Sequence, residues 1–394
     1  MLHRLYVARA LRAFADGYAA LLLPVYLLQL GYDAFDFGVL ATVALLGSGA
    51  LTLVVGHGAH RYAVGTLFAA AGLLMAGTGF GIAAFTDFWP LLAVAFVGTL
   101  NPSAGGVSVF VPLEQTVLAH AAHDARRTAV FAQYSLIGSL AAACGALLIG
   151  VPQWLAQAFA LEMKFALQAM FVVYGVIGLV VVALYRGVRL GAEAAGARAV
   201  RPLQQSRAMV YRLATLFAVD SFAGGLVLDS LLVLWLYGRF DLQPAVAGAI
   251  FFWTGVLSAF SFLVAARIAQ RIGLVNTMVY THIPASVFLI VVPFMPTLEL
   301  AVALLLARSA LSQMDVPTRT SYVMAIVPPE ERPAAASVTT VPRSFAAAAA
   351  PVVAGSFLTA SDFGWPLVAA GALKIAYDLA LLYTCRHVKP PEER

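Results

Sequence analysis

Apolar residues run through this chain in long stretches, and twelve of them approach the roughly 20 residues a helix needs to cross a bilayer. They lie at about 5–30, 36–57, 63–86, 89–117, 128–151, 165–185, 209–237, 244–268, 274–294, 298–326, 333–358 and 365–386. The breaks fall at Gly, Pro and charged residues, as in Gly31-Tyr32-Asp33, Thr86-Asp87 and Pro328-Pro329-Glu330-Glu331. Period-two alternation is absent, which argues against an outer-membrane barrel. The pattern predicts an all-α protein that crosses a membrane many times.

Composition agrees. The chain is 62% hydrophobic and 11% charged, against roughly 45–50% apolar residues in soluble domains. Placing both termini on the cytoplasmic side puts nearly all loop cations on that side, among them Arg61, Arg126, Arg127, Arg186, Arg271 and Arg332. Only Lys164 and Arg239 fall in outer loops, which instead hold Asp33, Asp36, Asp87, Glu299 and Asp362. Such an asymmetry orients a membrane protein. It also accounts for the net charge of +5 without a nucleic-acid partner. Residues 1–30 carry no small-residue cleavage pattern and run straight into a span, so no secretory leader is expected. Cys144 and Cys385 both fall within spans and are expected to be free, buried thiols.

The polar stretch Arg186 to Arg207 separates six spans from six. The expected division is an N-terminal six-helix bundle at 1–185, a cytoplasmic linker at 186–208 and a C-terminal six-helix bundle at 209–394. The halves look related. At an offset of 205 residues, Val111-Pro112 matches Val316-Pro317, Arg127 matches Arg332, Ala129 matches Ala334 and Gly150 matches Gly355. Phe14-Ala15-Asp16 similarly parallels Phe217-Ala218-Val219-Asp220. With six spans each, the halves enter the membrane in the same direction, as parallel repeats.

Twelve spans, two halves and a basic central loop resemble the major facilitator superfamily. Its loop between spans two and three is echoed in Gly56-His57-Gly58-Ala59-His60-Arg61, with His60 at the usual acidic position. The loop between spans eight and nine keeps Arg271 and Gly273, with Gln270 in the acidic place. Gly138, Gly145 and Gly150 faintly resemble the glycine-rich fifth span of drug/proton antiporters, without its Gly-Pro. The resemblance implies two bundles with both termini cytoplasmic, and secondary transport of a small molecule by alternating access. It also implies a monomer in the cell inner membrane, without cofactor. Spans one, four, seven and ten would line the path, with help from five and eleven. That places Asp16, Glu114, Asp220, Arg308, Asp315, Arg319 and Arg343 in or near it.

An ionised side chain at the bilayer centre costs at least ~2.5–3.5 kcal/mol, so such residues usually face a bundle interior or a wet path. Arg308, Asp315 and Arg319 are spaced by seven and four residues and fall on one face of the tenth span. Asp16, Asp220 and Asp315 are candidates for carrying a proton. Arg12, four residues before Asp16, could instead pair with it statically. Arg308 and Arg343 could meet a polar or anionic substrate, because guanidinium stays charged and offers a planar donor fork. Tyr18, Tyr134 and Asn101 are further substrate candidates, and Tyr26, Phe222 and Trp253 could add aromatic wall. Glu114 and Arg319, equivalent at the 205 offset, could form an ion pair between the halves, with Arg61 and Arg271 as further cytoplasmic gate candidates. Asp229 should bond a neighbouring helix, and Lys374 and Asp378 should satisfy one another.

The run Asn101-Pro102-Ser103-Ala104-Gly105-Gly106 ahead of Pro112 should bend or unwind the fourth span. His57/His60 and His120/His123 lie without carboxylates or thiols nearby, so no metal site is expected. With no phosphate loop or nucleophile motif, the chain reads as a transporter and not an enzyme. Proton-coupled export of a small amphiphilic or organic compound, by antiport, is the primary reading. Proton-linked uptake of an organic anion is the alternative. A non-transporting receptor or lipid-handling scaffold is the reading from another class.

Overall fold

The computed structural model describes residues 2–58, 62–100, 102, 108–121, 127–186, 203–328 and 330–385, which are helical throughout, with no strand among them. The helices are α1 (Leu2–Gln29), α2 (Ala34–Gly58), α3 (Val64–Ala84), α4 (Phe88–Val97), α5 (Phe110–Ala121), α6 (Arg127–Ala146), α7 (Val151–Phe159) and α8 (Met163–Tyr185). They continue as α9 (Arg207–Gly225), α10 (Asp229–Phe240), α11 (Pro244–Ile272), α12 (Leu274–Val291), α13 (Leu298–Leu311), α14 (Asp315–Ile326), α15 (Arg332–Ala360) and α16 (Trp365–Cys385).

Among the described residues ten helical stretches are long and apolar enough to cross a membrane. The other two of the twelve expected spans, the fourth and the tenth, are each built from two shorter helices, α4 with α5 and α13 with α14. The breaks have a local cause. Pro112 and Pro317 each sit at the third position of α5 and α14. Proline has no N–H to give the preceding turn and is best accommodated in the first turn of a helix, though Pro24, Pro284, Pro342 and Pro351 lie inside longer helices here. Each Val-Pro pair starts a new helix instead of continuing an old one. The expected unwinding at 101–106 falls where α4 has already ended, although Asn101 and residues 103–107 lie outside the described residues.

By packing, the chain divides into two compact units. Unit 1 comprises Met1–Gly196 and Leu228–Phe252; unit 2 comprises Ala197–Val227 and Trp253–Arg394. This grouping differs from the sequence division at the linker, because the chain changes unit at the break between α9 and α10. In unit 1, α1 is the central helix, packed on α6, α8 and α10. Its most apolar window is 78% buried, against 31% for α11. In unit 2, α9 packs on α15 and α16, and α12 packs on α13, α14 and α16.

The α1–α6 crossing explains two glycines. A Cβ on Gly17 would lie 2.1 Å from the Ala142 carbonyl oxygen, and one on Gly145 would lie 2.1 Å from that of Phe14. Small residues let membrane helices approach backbone to backbone. Gly145 therefore serves packing, which accounts for a glycine in span five without a transport motif. Gly17→Ala should force α1 from α6 and destabilise the protein by about 1–3 kcal/mol, the usual range for overpacking. An unchanged melting temperature in detergent would show that the crossing is not this tight.

Where the chain enters unit 2, Glu331 ties down the start of α9. Its carboxylate accepts the Gln204, Gln205 and Ser206 backbone N–H groups at 3.1, 3.0 and 3.2 Å, and also the Ser206 hydroxyl. Ser206 is the N-cap of α9, and the Gln204 and Gln205 donors lead into it, so the anion sits at the helix N-terminus, where it is favoured. The Ser206 hydroxyl and then the backbone donors hold the Glu331 carboxyl below its usual range. A carboxyl held low contributes stability above its unfolded titration range and loses it as pH falls through the folded one. Protection of the Gln204 to Ser206 amides, taken as the exchange rate relative to the intrinsic rate at each pH, should therefore fall on acidification. Glu331→Gln should remove that pH dependence, and a Gln variant that keeps it would count against the clamp.

Candidate functional site

Unit 1 holds a carboxylate wrapped by donors. Glu114 is fully buried on α5, and Arg12 on α1 is 1% exposed. Arg12 Nη2 donates to Glu114 Oε2 at 2.5 Å, and the Tyr134 hydroxyl donates to the same oxygen at 2.5 Å. The Tyr185 hydroxyl, from the end of α8, donates to Oε1. Arg12 also reaches the Ser108 hydroxyl at 3.4 Å and lies 4.0 Å from the centre of the Phe110 ring. Phe68 stacks on Tyr185 at 4.2 Å and 13° between planes, so aromatic rings close the site. Arg9, one turn earlier, lies 4.9 Å from the Tyr134 ring centre, in the space left by Gly138.

Asp16, one turn beyond Arg12, has a different partner. It is 5% exposed and accepts the Tyr174 hydroxyl at 2.9 Å. The expected static pairing of Arg12 with Asp16 is thereby corrected. The guanidinium turns across to α5, where Glu114 offers a shorter charged contact with two phenols in support.

Unit 2 holds a longer chain of charges. Asp220 on α9 accepts Arg319 Nη1 at 2.8 Å and Lys374 Nζ at 2.7 Å. Arg319 also lies 3.3 Å from Asp315, one turn before it on α14. Lys374 Nζ is 3.4 Å from His282 Nε2, and His282 Nδ1 is 3.0 Å from Asp378 Oδ1. Lys374 and Asp378 thus serve Asp220 and His282 instead of each other. Four helices, α9, α12, α14 and α16, contribute to one buried network.

The two clusters are the same helix pair with side chains exchanged. At the 205 offset, Arg12 corresponds to Phe217, Phe110 to Asp315 and Glu114 to Arg319. In unit 1 the arginine comes from the first helix and lies over a phenylalanine of the other, Phe110. In unit 2 the arginine comes from α14 and lies 5.3 Å from the ring centre of Phe217 on α9. Glu114 and Arg319, expected to pair when the cytoplasmic side closes, are each bound here to a partner of their own unit. Each group is neutralised inside its own unit.

The remaining candidates divide. Asp315 and Arg319 share α14, but Arg308 ends α13, half-buried, so the break at Ser312–Met314 separates it from the stripe that sequence spacing suggested. Arg343 Nε donates to the Ser221 hydroxyl at 3.1 Å, beside Asp220 in sequence but not bonded to it. Tyr18 is buried and donates to the Met170 carbonyl, and Tyr26 to that of Phe85, so both tie helices together. Trp253 is 55% exposed and Arg271 is exposed, while Arg61 and Asn101 lie outside the described residues. Asp229 opens α10 and is exposed. Cys385 is buried and Cys144 exposed, both free. Sequence reasoning missed Tyr174, Tyr185 and His282; the signal for His282 is a histidine in mid-span, flanked by apolar residues.

Against known proteins, the model of the Major Facilitator Superfamily matches residues 5–311. An uncharacterised membrane protein of Saccharomyces cerevisiae is 23% identical over 351 residues, 80% of this chain and 78% of its own. The crystal structure of the nucleoside transporter NupG aligns with a TM-score of 0.74 at 15% identity, over 97% of this chain and 98% of its own. A bacterial homologue of the human lysosomal transporter Spinster, inward-facing and occupied, gives 0.77 at 14%, over 98% and 96%. The xylose transporter XylE from E. coli, partially occluded and inward open, gives 0.72 at 14%, over 100% and 99%. At such identities the structural likeness is one of fold.

Proposed function

The chain belongs to the Major Facilitator Superfamily, and we propose that it couples proton movement to export of a small amphiphilic or organic compound. Family and fold make it a multi-pass secondary transporter working by alternating access. The finer reading has the cell inner membrane as its place and antiport as its mode.

Proton coupling is carried by the partnering of Asp16. Its contact is a phenol, Tyr174, at 2.9 Å. A phenol can donate to a carboxylate or to a neutral carboxyl alike. The neighbouring cation Arg12 is bound to Glu114, so neutralising Asp16 strands no buried charge. Asp220 differs, because protonating it would strip Lys374 and Arg319 of their shared partner. Stranding a buried charge costs several kcal/mol. Asp16 can therefore change state at less cost than Asp220.

A substrate comes first from a stabilisation screen on purified protein, since a ligand of the folded state raises its melting temperature. In proteoliposomes, Asp16→Asn should then abolish uphill transport driven by a pH gradient while sparing exchange of substrate across the bilayer. Uphill transport unchanged in that variant would remove the role. The sign of substrate-induced proton flux decides export against uptake.

A further inference from the structure

Coupling at Asp16 leaves unused a buried imidazole in unit 2 that is hydrogen-bonded on both sides. We infer that His282 and Asp378 form a second proton-binding site, and that its occupancy sets how firmly Lys374 is held to Asp220. Only the site's part in transport rests on the proton-coupled reading above; the site itself does not.

The geometry fixes the resting tautomer. An ammonium only donates, so His282 Nε2, 3.4 Å from Lys374 Nζ, must be the bare, accepting nitrogen. An ionised carboxylate only accepts, so Nδ1, 3.0 Å from Asp378 Oδ1, carries the hydrogen. His282 is 3% exposed and Asp378 fully buried. The second oxygen of Asp378, Oδ2, is buried without a hydrogen-bond partner among the described residues. Buried polar atoms are rarely left so, and each such exception asks for a cause.

Asp220, Asp315 and Asp378 are set against Lys374, Arg319 and, from α15, Arg343, whose charge interacts with Arg319, Asp220 and Asp315. The set balances while His282 is neutral, and a proton there adds one positive charge. Groups around His282 come from every neighbouring helix of the network. Lys374, Tyr377 and Asp378 lie on α16, Asp220 on α9, and Asp315 and Arg319 on α14. Helix α13, also packed on α12, carries Glu299 in its first turn and Arg308 in its last.

A proton passed from hydronium to Nε2 breaks one O–H bond, leaves water and forms one N–H bond, converting an acceptor into a donor. The Lys374–His282 hydrogen bond is then lost, and two cations stand 3.4 Å apart. The new N–H has an acceptor close by, Asp220 Oδ1 at 3.9 Å. Proton uptake thus makes imidazolium and ammonium compete for one carboxylate oxygen. Release restores the first arrangement. Because Asp220 also holds Arg319 on α14, the state of the imidazole reaches the broken tenth span through three hydrogen bonds.

Nitrogen-15 NMR of labelled imidazoles in detergent tests this without a substrate. Replacing His3, His57, His60, His120, His123 and His387 by glutamine leaves His282 as the sole histidine of the 7. Should that protein not fold, the difference between wild type and His282→Gln isolates the same signal. The expected spectrum is a neutral Nδ1–H tautomer at high pH that gains an Nε2 proton on acidification, with the tautomers mixing in Asp378→Asn. An Nε2–H tautomer, or a neutral ring throughout in folded protein, overturns the site. If His282 titrates as described but no pH gradient drives transport, the site stands and the coupling at Asp16 falls. Gradient-driven transport with a silent His282 does the reverse.

Discussion

Replacing Glu114 by alanine should be the most destabilising single change in unit 1, costing about 3–5 kcal/mol, the range for breaking a buried ion pair from one side. The Arg12 guanidinium would remain buried at 1% exposure with its short charged contact gone. The hydroxyls of Tyr134 and Tyr185 would lose their acceptor in the same step. The cation over the Phe110 ring keeps some stabilisation, of order 1–2 kcal/mol when desolvated, so the loss should be large without being total. The double variant Arg12→Met, Glu114→Leu separates charge from shape. Apolar groups of similar volume often replace a buried pair at little cost, so its melting temperature should recover the part lost to the stranded guanidinium and stay below wild type by the two phenols left without an acceptor. A single variant as stable as wild type would mean that water reaches Arg12 and that the cluster is not buried as described.

That pair also shows what could be read from sequence and what could not. The spans, the two-fold repeat and the family were legible because bilayer-length apolar runs and the Val-Pro register are local patterns. Asp16, Glu114, Asp220, Asp315 and Arg319 were legible as functional candidates because a charge in an apolar stretch is conspicuous. Their pairing was not legible. Spacing along one helix offered Arg12 to Asp16 and Lys374 to Asp378, both at i,i+4. The structure sends each of these to a partner on another helix, because at a bundle centre a cross-helix contact is drier than one along the helix surface. The equivalence of Glu114 and Arg319 was visible as a number and was read as a contact. Its meaning is the exchange of arginine and phenylalanine between the two helices of each pair, which only coordinates reveal. Phenols such as Tyr174 and Tyr185 carry no charge, and nothing in the sequence distinguished them from the other aromatic residues.

Asp220→Asn should have the largest effect in unit 2, again about 3–5 kcal/mol, because one carboxylate there serves two cations at 2.8 and 2.7 Å. The two cations should not suffer equally. Arg319 keeps Asp315 at 3.3 Å on its own helix. Lys374 keeps only the imidazole of His282, 3.4 Å away. Most of the damage should therefore pass through Lys374, and Lys374→Met added to Asp220→Asn should recover more stability than Arg319→Met added to it. Thermal unfolding of the two double variants in detergent makes the comparison directly. Equal recovery would show that the network is not ordered as the distances imply. Transport supplies the second reading of the same proteins: if Asp220 only holds charge in balance, the lysine double variant should carry substrate as well as it folds. If it folds well and carries nothing, the Asp220–Lys374 link itself moves during the transport cycle, as the competition for Asp220 Oδ1 requires.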